Sequence, residues 1–307
     1  MRISSNTIYE ASVNAMQQQS AKLLQVQQQI STGRRILTPA DDPIGAAQAL
    51  QVTQAQTLNA QYSTNAGSAS DSLTLEESVL GNVTSLLQDV RTTAINAGNG
   101  ALNSTDRAAL ATDLSGRYQQ LLGLANTVDG NGQYLFSGYQ GGVRPFTETA
   151  PGTVAYNGDQ GQRLIQISAS EQLPVSDAGS DVFQRIPDGQ GAYQDVFKTI
   201  HDLVQLLQTS PGGAGLANGL SSAQTNIDNA LSNVTAMRAS AGSRLQELDA
   251  VQTAGQDRAL QYSQTLSRLQ DVDYAKAAAE LTQQQVNLEA AQKSFVKMAG
   301  LSLFNYL

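Results

Sequence analysis

Apolar side chains recur at sevenfold spacing in four tracts of this chain. Near the N-terminus, Met16, Leu23 and Ile30 form one series, with Val26 between the last two. Leu73, Leu80, Leu87 and Ala94 form a second, interleaved with Val83 and Val90. A third runs through Ile227, Val234, Ala241, Leu248, Tyr262 and Leu269, broken at Gly255. Its companion series, Leu231, Leu245, Ala259 and Leu266, carries polar Arg238 and Gln252. At the C-terminus, Ala277, Leu281, Leu288, Ala291, Phe295 and Met298 follow an alternating four-three step. A stripe that repeats every ~3.5 residues is the seam of a coiled coil or helical bundle.

Proline marks where such helices must stop. Residues 44–144 and 212–307 contain no proline, so a helix need not break in either tract. Residues 130–193 differ: they hold four of the seven prolines, 11 of the 26 glycines and seven aromatic residues. That composition predicts a compact β-rich insert between helical flanks. Within it, Val154 and Tyr156 share a strand face, Asn157-Gly158 is a hairpin signal, and Arg163, Ile165 and Ile167 share a face of the returning strand. A short amphipathic helix is expected over 192–208, ended by Ser210-Pro211-Gly212-Gly213.

The expected fold is therefore mainly α. Long N- and C-terminal helices pair as a coiled-coil-like rod, with a small β-rich domain inserted in the middle. The expected division is 1–44 with 266–307 as a terminal helical assembly domain, 45–129 with 193–265 as a helical rod domain, and 130–192 as a β-rich outer domain.

Composition narrows the function. Aromatic residues make up 5% and charged residues 14%, with no Trp and no Cys. So few large apolar groups suit helices that bury a narrow stripe better than one large globule. A formal charge of −8 argues against nucleic acid, which needs a concentrated basic surface. No apolar run approaches the ~20 residues that span a bilayer, so no membrane partner is expected. The N-terminus, Met1 to Asn6, lacks the apolar core of a secretory signal.

Candidate chemistry is sparse. His201 is the only histidine and is expected to be structural. Asp177-Ala178-Gly179-Ser180-Asp181 lacks the remaining ligands of a calcium loop and reads as a turn. Asp41-Asp42, between Pro39 and Pro43, reads as the end of one helix and the cap of the next. No catalytic, metal or cofactor-binding set emerges, and no enzyme is expected. What remains is interaction: terminal helices with few charges and many Gln residues can pack on copies of themselves without like-charge repulsion. Alone they are marginal in water, so the terminal segments are expected to be loose in the free protein and ordered on assembly.

The segment from Leu24 to Ile44, with Gln29-Ile30-Ser31-Thr32-Gly33-Arg34-Arg35 and Ala40-Asp41-Asp42, resembles the N-terminal signature of the flagellin family. Asp271-Val272-Asp273-Tyr274-Ala275-Lys276 through Gln292-Lys293-Ser294-Phe295 is similar to its C-terminal signature. Met1 to Tyr9, Gly132 to Gly138 and the ending Gly300 to Leu307 resemble the branch found at the hook–filament junction. The resemblance implies an extracellular axial subunit serving motility, exported by the flagellar type III apparatus without a cleaved signal. It implies partners too: a ring of identical subunits, hook-associated protein 1, flagellin and an export chaperone. On this reading the assembly interface is Met16, Leu23, Val26, Ile30, Leu281, Leu288, Phe295 and Leu303, and the inter-helix turn motif is Gly33, Arg34, Ala40, Asp41 and Asp42. A filament flagellin is the nearest alternative, and a secreted coiled-coil adhesin or effector a more distant one.

Overall fold

The structure, a computed structural model, describes residues 5–188, 191–210 and 212–303. Helices α1 (Ser5–Thr32), α2 (Pro43–Ala97) and α3 (Ser104–Ala125) come first. Short strands follow: β1 (Phe146–Ala150), β2 (Thr153–Tyr156), β3 (Leu164–Gln166) and β4 (Gln172–Pro174). Then come α4 (Gly179–Phe183), β5 (Ile186–Pro187), β6 (Tyr193–Gln194), α5 (Val196–Thr209), α6 (Ala214–Gln270) and α7 (Tyr274–Leu303). The fold is mainly helical, with its strands confined to the middle of the chain.

Local chemistry explains the boundaries. Asp42 accepts the Gly45 N–H at 2.9 Å and caps α2, whose first residue is Pro43. Asn103 and Asp106 form a reciprocal capping box on α3. Asp195 accepts from the N–H groups of Phe197 and Lys198, so α5 starts at Val196, a turn later than the sequence suggests. Along α5, Val196, Phe197, Ile200, Leu203, Val204 and Leu207 are all buried, the stripe expected of an amphipathic helix.

The chain divides into two compact units, residues 1–59 with 257–307 and residues 60–256. In the second unit the heptad stripes are core. Leu73, Leu80, Leu87 and Ala94 are fully buried on α2, and Ile227, Val234, Ala241 and Leu248 are buried on α6. Gly255, the break in that series, also lies on the buried face. Arg238, a polar position of the companion series, donates from Nε to Glu77 on α2 at 2.9 Å.

The residues expected to form a separate outer domain share a core with the helices of this unit. Phe136, Phe146, Phe183 and Phe197 pack through edge-to-face and tilted ring contacts with centroids 5.3–5.7 Å apart, in one cluster with Leu87 of α2, Leu121 of α3 and Ile227 of α6. A second, smaller cluster joins Ile167, Leu173 and Val175 to Ala66, Ala69 and Leu73 of α2 and Leu248 of α6.

The strands of the described residues form three two-stranded antiparallel ribbons, β1–β2, β3–β4 and β5–β6. This corrects the expected hairpin at Asn157-Gly158. The β1–β2 turn is Pro151-Gly152, where Gly152 takes a φ of 74° that favours glycine. Asn157 instead extends that ribbon, its N–H donating to Pro145 O at 2.7 Å. A two-residue hairpin turn of the expected kind needs positive φ at both central residues, and neither Asn157 nor Gly158 has it. Ile165 therefore pairs with Leu173 on β4, not with the strand of Val154 and Tyr156.

Candidate assembly site

In the first unit, α1 and α7 pack against each other as an antiparallel pair. The Tyr9 and Phe295 rings lie 5.1 Å apart at one level, and Gln19 Nε2 donates to Gln284 Oε1 over 2.5 Å further along. Next come Val26 and Ala277, which line one groove, and then the Val272 N–H, which donates to Gly33 O at 2.9 Å. The offset between partners is nearly constant along the pair. It places Met16 across from Leu288 and Leu23 across from Leu281, so the two terminal heptad stripes face one another.

Burial along the pair is partial. Val26 is buried, whereas Met16, Leu23, Ile30, Leu281, Leu288 and Phe295 are half-buried. Leu303 lies at the end of α7, and its side chain falls outside the described residues. Several other apolar groups of this unit are open to solvent: Leu24 and Val286 at 57% and 59% exposure, Val296 at 68% and Ile44 at 73%. Sequence reasoning passed over these because they lie off the heptad seam.

The turn motif closes one end of the pair. Gly33 ends α1 with a φ of 70°, and a Cβ there would lie 3.0 Å from the Tyr274 hydroxyl. Arg34 bridges Asp271 through the backbone, and the Arg35 N–H donates to Gln270 O at 2.6 Å. The Arg35 guanidinium reaches both Leu269 O at 2.9 Å and Asp42 Oδ2 at 3.1 Å.

Asp41 organises the loop. Its Oδ2 accepts the N–H groups of Leu37 and Thr38 and the Thr38 hydroxyl, and its Oδ1 accepts Gln25 Nε2 at 2.9 Å. The Thr38 N–H is the main reason its carboxyl titrates below the usual range. The Gly45 N–H, then Arg35, does the same for Asp42. Ala40, just before Asp41, is exposed. Arg35 joins the clip without having been expected; its place beside Arg34 in a helix-ending turn was the available signal.

A groove of about 370 Å³ runs between the two helices, lined by Lys22, Gln25, Lys276, Glu280 and Gln284 among others. Its mixed charges and amides suit polar contacts with another surface. Among the described residues, no three His, Cys, Asp or Glu side chains gather to hold a metal ion. No described helix is long and apolar enough to cross a membrane. His201 packs its ring against Tyr118, centroids 6.4 Å apart.

Comparison with known proteins places this arrangement. The family model "Bacterial flagellin N-terminal helical region" matches residues 3–141. The chain is 35% identical to flagellar hook-associated protein 3 of Salmonella typhimurium and 36% identical to that of Escherichia coli K12, over 99% of each chain. Against Bacillus subtilis flagellin the identity is 23%, over 95% of this chain and 94% of the relative. A flagellar hook-associated protein structure from Vibrio parahaemolyticus shares the fold at a TM-score of 0.69 and 20% identity, covering 75% of this chain and all of that one. Xanthomonas campestris FlgL does so at 0.63 and 23%, covering 70% and 99%. The end-to-end likeness, stronger to the hook-associated proteins than to flagellin, means that the chain belongs to the flagellar hook-associated protein 3 family, a branch of the flagellins.

Proposed function

We propose that this chain is a structural axial subunit of the bacterial flagellum that joins hook to filament and so serves motility. The observation that carries the reading is full-length identity of 35–36% to hook-associated protein 3, well above that to flagellin. The α1–α7 pair supports it, since Met16, Leu23, Ile30, Leu281, Leu288 and Phe295 keep open surface that neighbouring copies can cover.

On this reading the subunit has a mechanical role and no catalytic one. It leaves the cell through the flagellar type III apparatus, held beforehand by an export chaperone and carrying no cleaved signal. It forms a ring of identical subunits, with hook-associated protein 1 on one side and flagellin on the other. The turn motif around Asp41 and Asp42 holds the terminal helices ready for that packing. Leu24, Val286 and Val296 join the seam residues as the surface offered to neighbours.

Deleting the gene tests the reading. Non-motile cells with complete hooks and flagellin shed into the medium are expected; normal filaments on the deleted strain would refute it. Purified chain added to filament seeds is expected to stop at a short collar, whereas continuous growth would point to a filament flagellin.

A further inference from the structure

The apolar layers of the α1–α7 seam do not by themselves select one alignment. Tyr9 faces Phe295, and the same offset sets Met16 on Leu288 and Leu23 on Leu281. A slip of one heptad would set Met16 on Phe295, Leu23 on Leu288 and Ile30 on Leu281. Every one of those layers is again apolar, because both stripes repeat with the same period.

The neighbouring row of each helix is not uniformly apolar. On α1 the row of positions 12, 19 and 26 reads Ser, Gln, Val, and on α7 the row of positions 277, 284 and 291 reads Ala, Gln, Ala; each row holds one amide. In the folded chain the two amides meet, with Gln19 Nε2 donating to Gln284 Oε1 between half-buried side chains. In the slipped alignment Gln19 would face Ala291 and Gln284 would face Val26, leaving two amides without each other inside the seam. The backbone clip of Gly33 and Arg35 to Val272 and Gln270 holds the far end of the pair. It lies about 20 Å from Gln19 at the rise of an α-helix, so a slip of one heptad, about 10 Å, has to release this clip or unwind a helix between the two points.

We propose that Gln19 and Gln284 are the specificity determinants of the terminal helix pair, selecting this alignment of α1 on α7 over the apolar alignment one heptad away. The pairing is a property of the chain itself and does not depend on where in the flagellum the subunit sits.

The chain has no Cys, so disulfide trapping reads alignment directly. Met16→Cys with Leu288→Cys reports the native alignment, and Met16→Cys with Phe295→Cys the slipped one. Oxidation traps pairs that form only transiently. Each pair is made in the full-length parent and in a Gln19→Leu/Gln284→Leu background, and links within one chain are scored on non-reducing gels. In the parent the native pair should close and the slipped pair should not. In the Leu/Leu background the slipped link should rise about fivefold, the change that loss of one half-buried hydrogen bond produces. Gln19→Glu with Gln284→Lys restores a directional partner and should return the slipped link to the parent level. An unchanged slipped yield in the Leu/Leu chain, a slipped yield that stays high in the Glu/Lys chain, or a parent whose native pair fails to close would each overturn the proposal.

Discussion

The backbone N–H of Asp177 donates to Oε1 of Glu76 over 3.0 Å, and both side chains are buried. Glu76 stands on α2, and Asp177 on the segment that leads from β4 into α4. Arg244 of α6 completes the group, its Nη2 donating to Asp177 Oδ2 at 2.6 Å and its Nη1 to Pro174 O at 3.2 Å. Gln162 adds a bond to Asp177 Oδ1, and Arg163 lies near enough to act on Glu76 through its charge. Two carboxyls thus meet one buried guanidinium, beside the small core of Ile167, Leu173 and Leu248.

Glu76 makes stability depend on pH. Burial, then the charge of Asp177, pushes its carboxyl up from 4.5 to about 8. Between those values the folded chain holds a proton that the unfolded chain has released. Stability therefore falls as pH rises through that window, by about 1.4 kcal/mol per unit for this group, and levels off above it. Glu76→Gln keeps an acceptor for the Asp177 N–H and removes the titration. Thermal melting at pH 5 and pH 8 should show the variant gaining on the parent at the higher pH. Equal shifts at both values would rule Glu76 out as the titrating group.

Arg244 is the counter-charge. Arg244→Met leaves Asp177 buried without its cation, which costs about 3–5 kcal/mol. Adding Asp177→Asn removes the uncompensated charge and should recover much of that loss. Urea unfolding of the single and double variants measures both, and additive losses would show that the pair is not coupled.

The turn motif depends on a left-handed residue at its start. Gly33→Ala forces an L side chain to a φ of 70° and brings its Cβ to 3.0 Å from the Tyr274 hydroxyl. The backbone penalty is about 1–2 kcal/mol. Amide exchange at Arg35 and Val272, whose N–H groups make the clip, should accelerate, while amides of α3 and α5 should not change. Unaltered exchange at the clip would mean that Gly33 is not needed there.

The terminal helices should open before the rest of the free chain. Of the seam residues described, Val26 and Ala277 are buried and the others keep open surface. Trypsin should cut the monomer first at Lys22, Lys276 or Lys293, all exposed, and trim toward a resistant fragment that contains residues 60–256, bounded by Arg35 and Arg258. Assembly into axial structures should protect the same bonds. Resistance of all three sites in the monomer would contradict the expected loosening.

Long helices were legible from residues alone because a period near seven is set by local geometry. Leu73, Leu80, Leu87 and Ala94 needed no partner to be recognised as one face, and the structure buries all four. The cap at Asp42 and the amphipathic stripe of α5 were readable for the same reason. Contacts between distant residues were not. Asp177 read as part of a turn, with no sign that it is the buried partner of Arg244, 67 residues away, because only tertiary packing brings β4 onto α6. The Asn157-Gly158 signal was locally sound but lost to Pro151-Gly152, where the turn lets Phe146 and Tyr156 pair and Phe146 enter the aromatic core. Gln19 and Gln284 make another such distant contact. The chain shows them only as two of many Gln residues in the terminal tracts; that one meets the other depends on the antiparallel offset of α1 and α7, since hydrophobic period sets which face is buried and not which residue it meets.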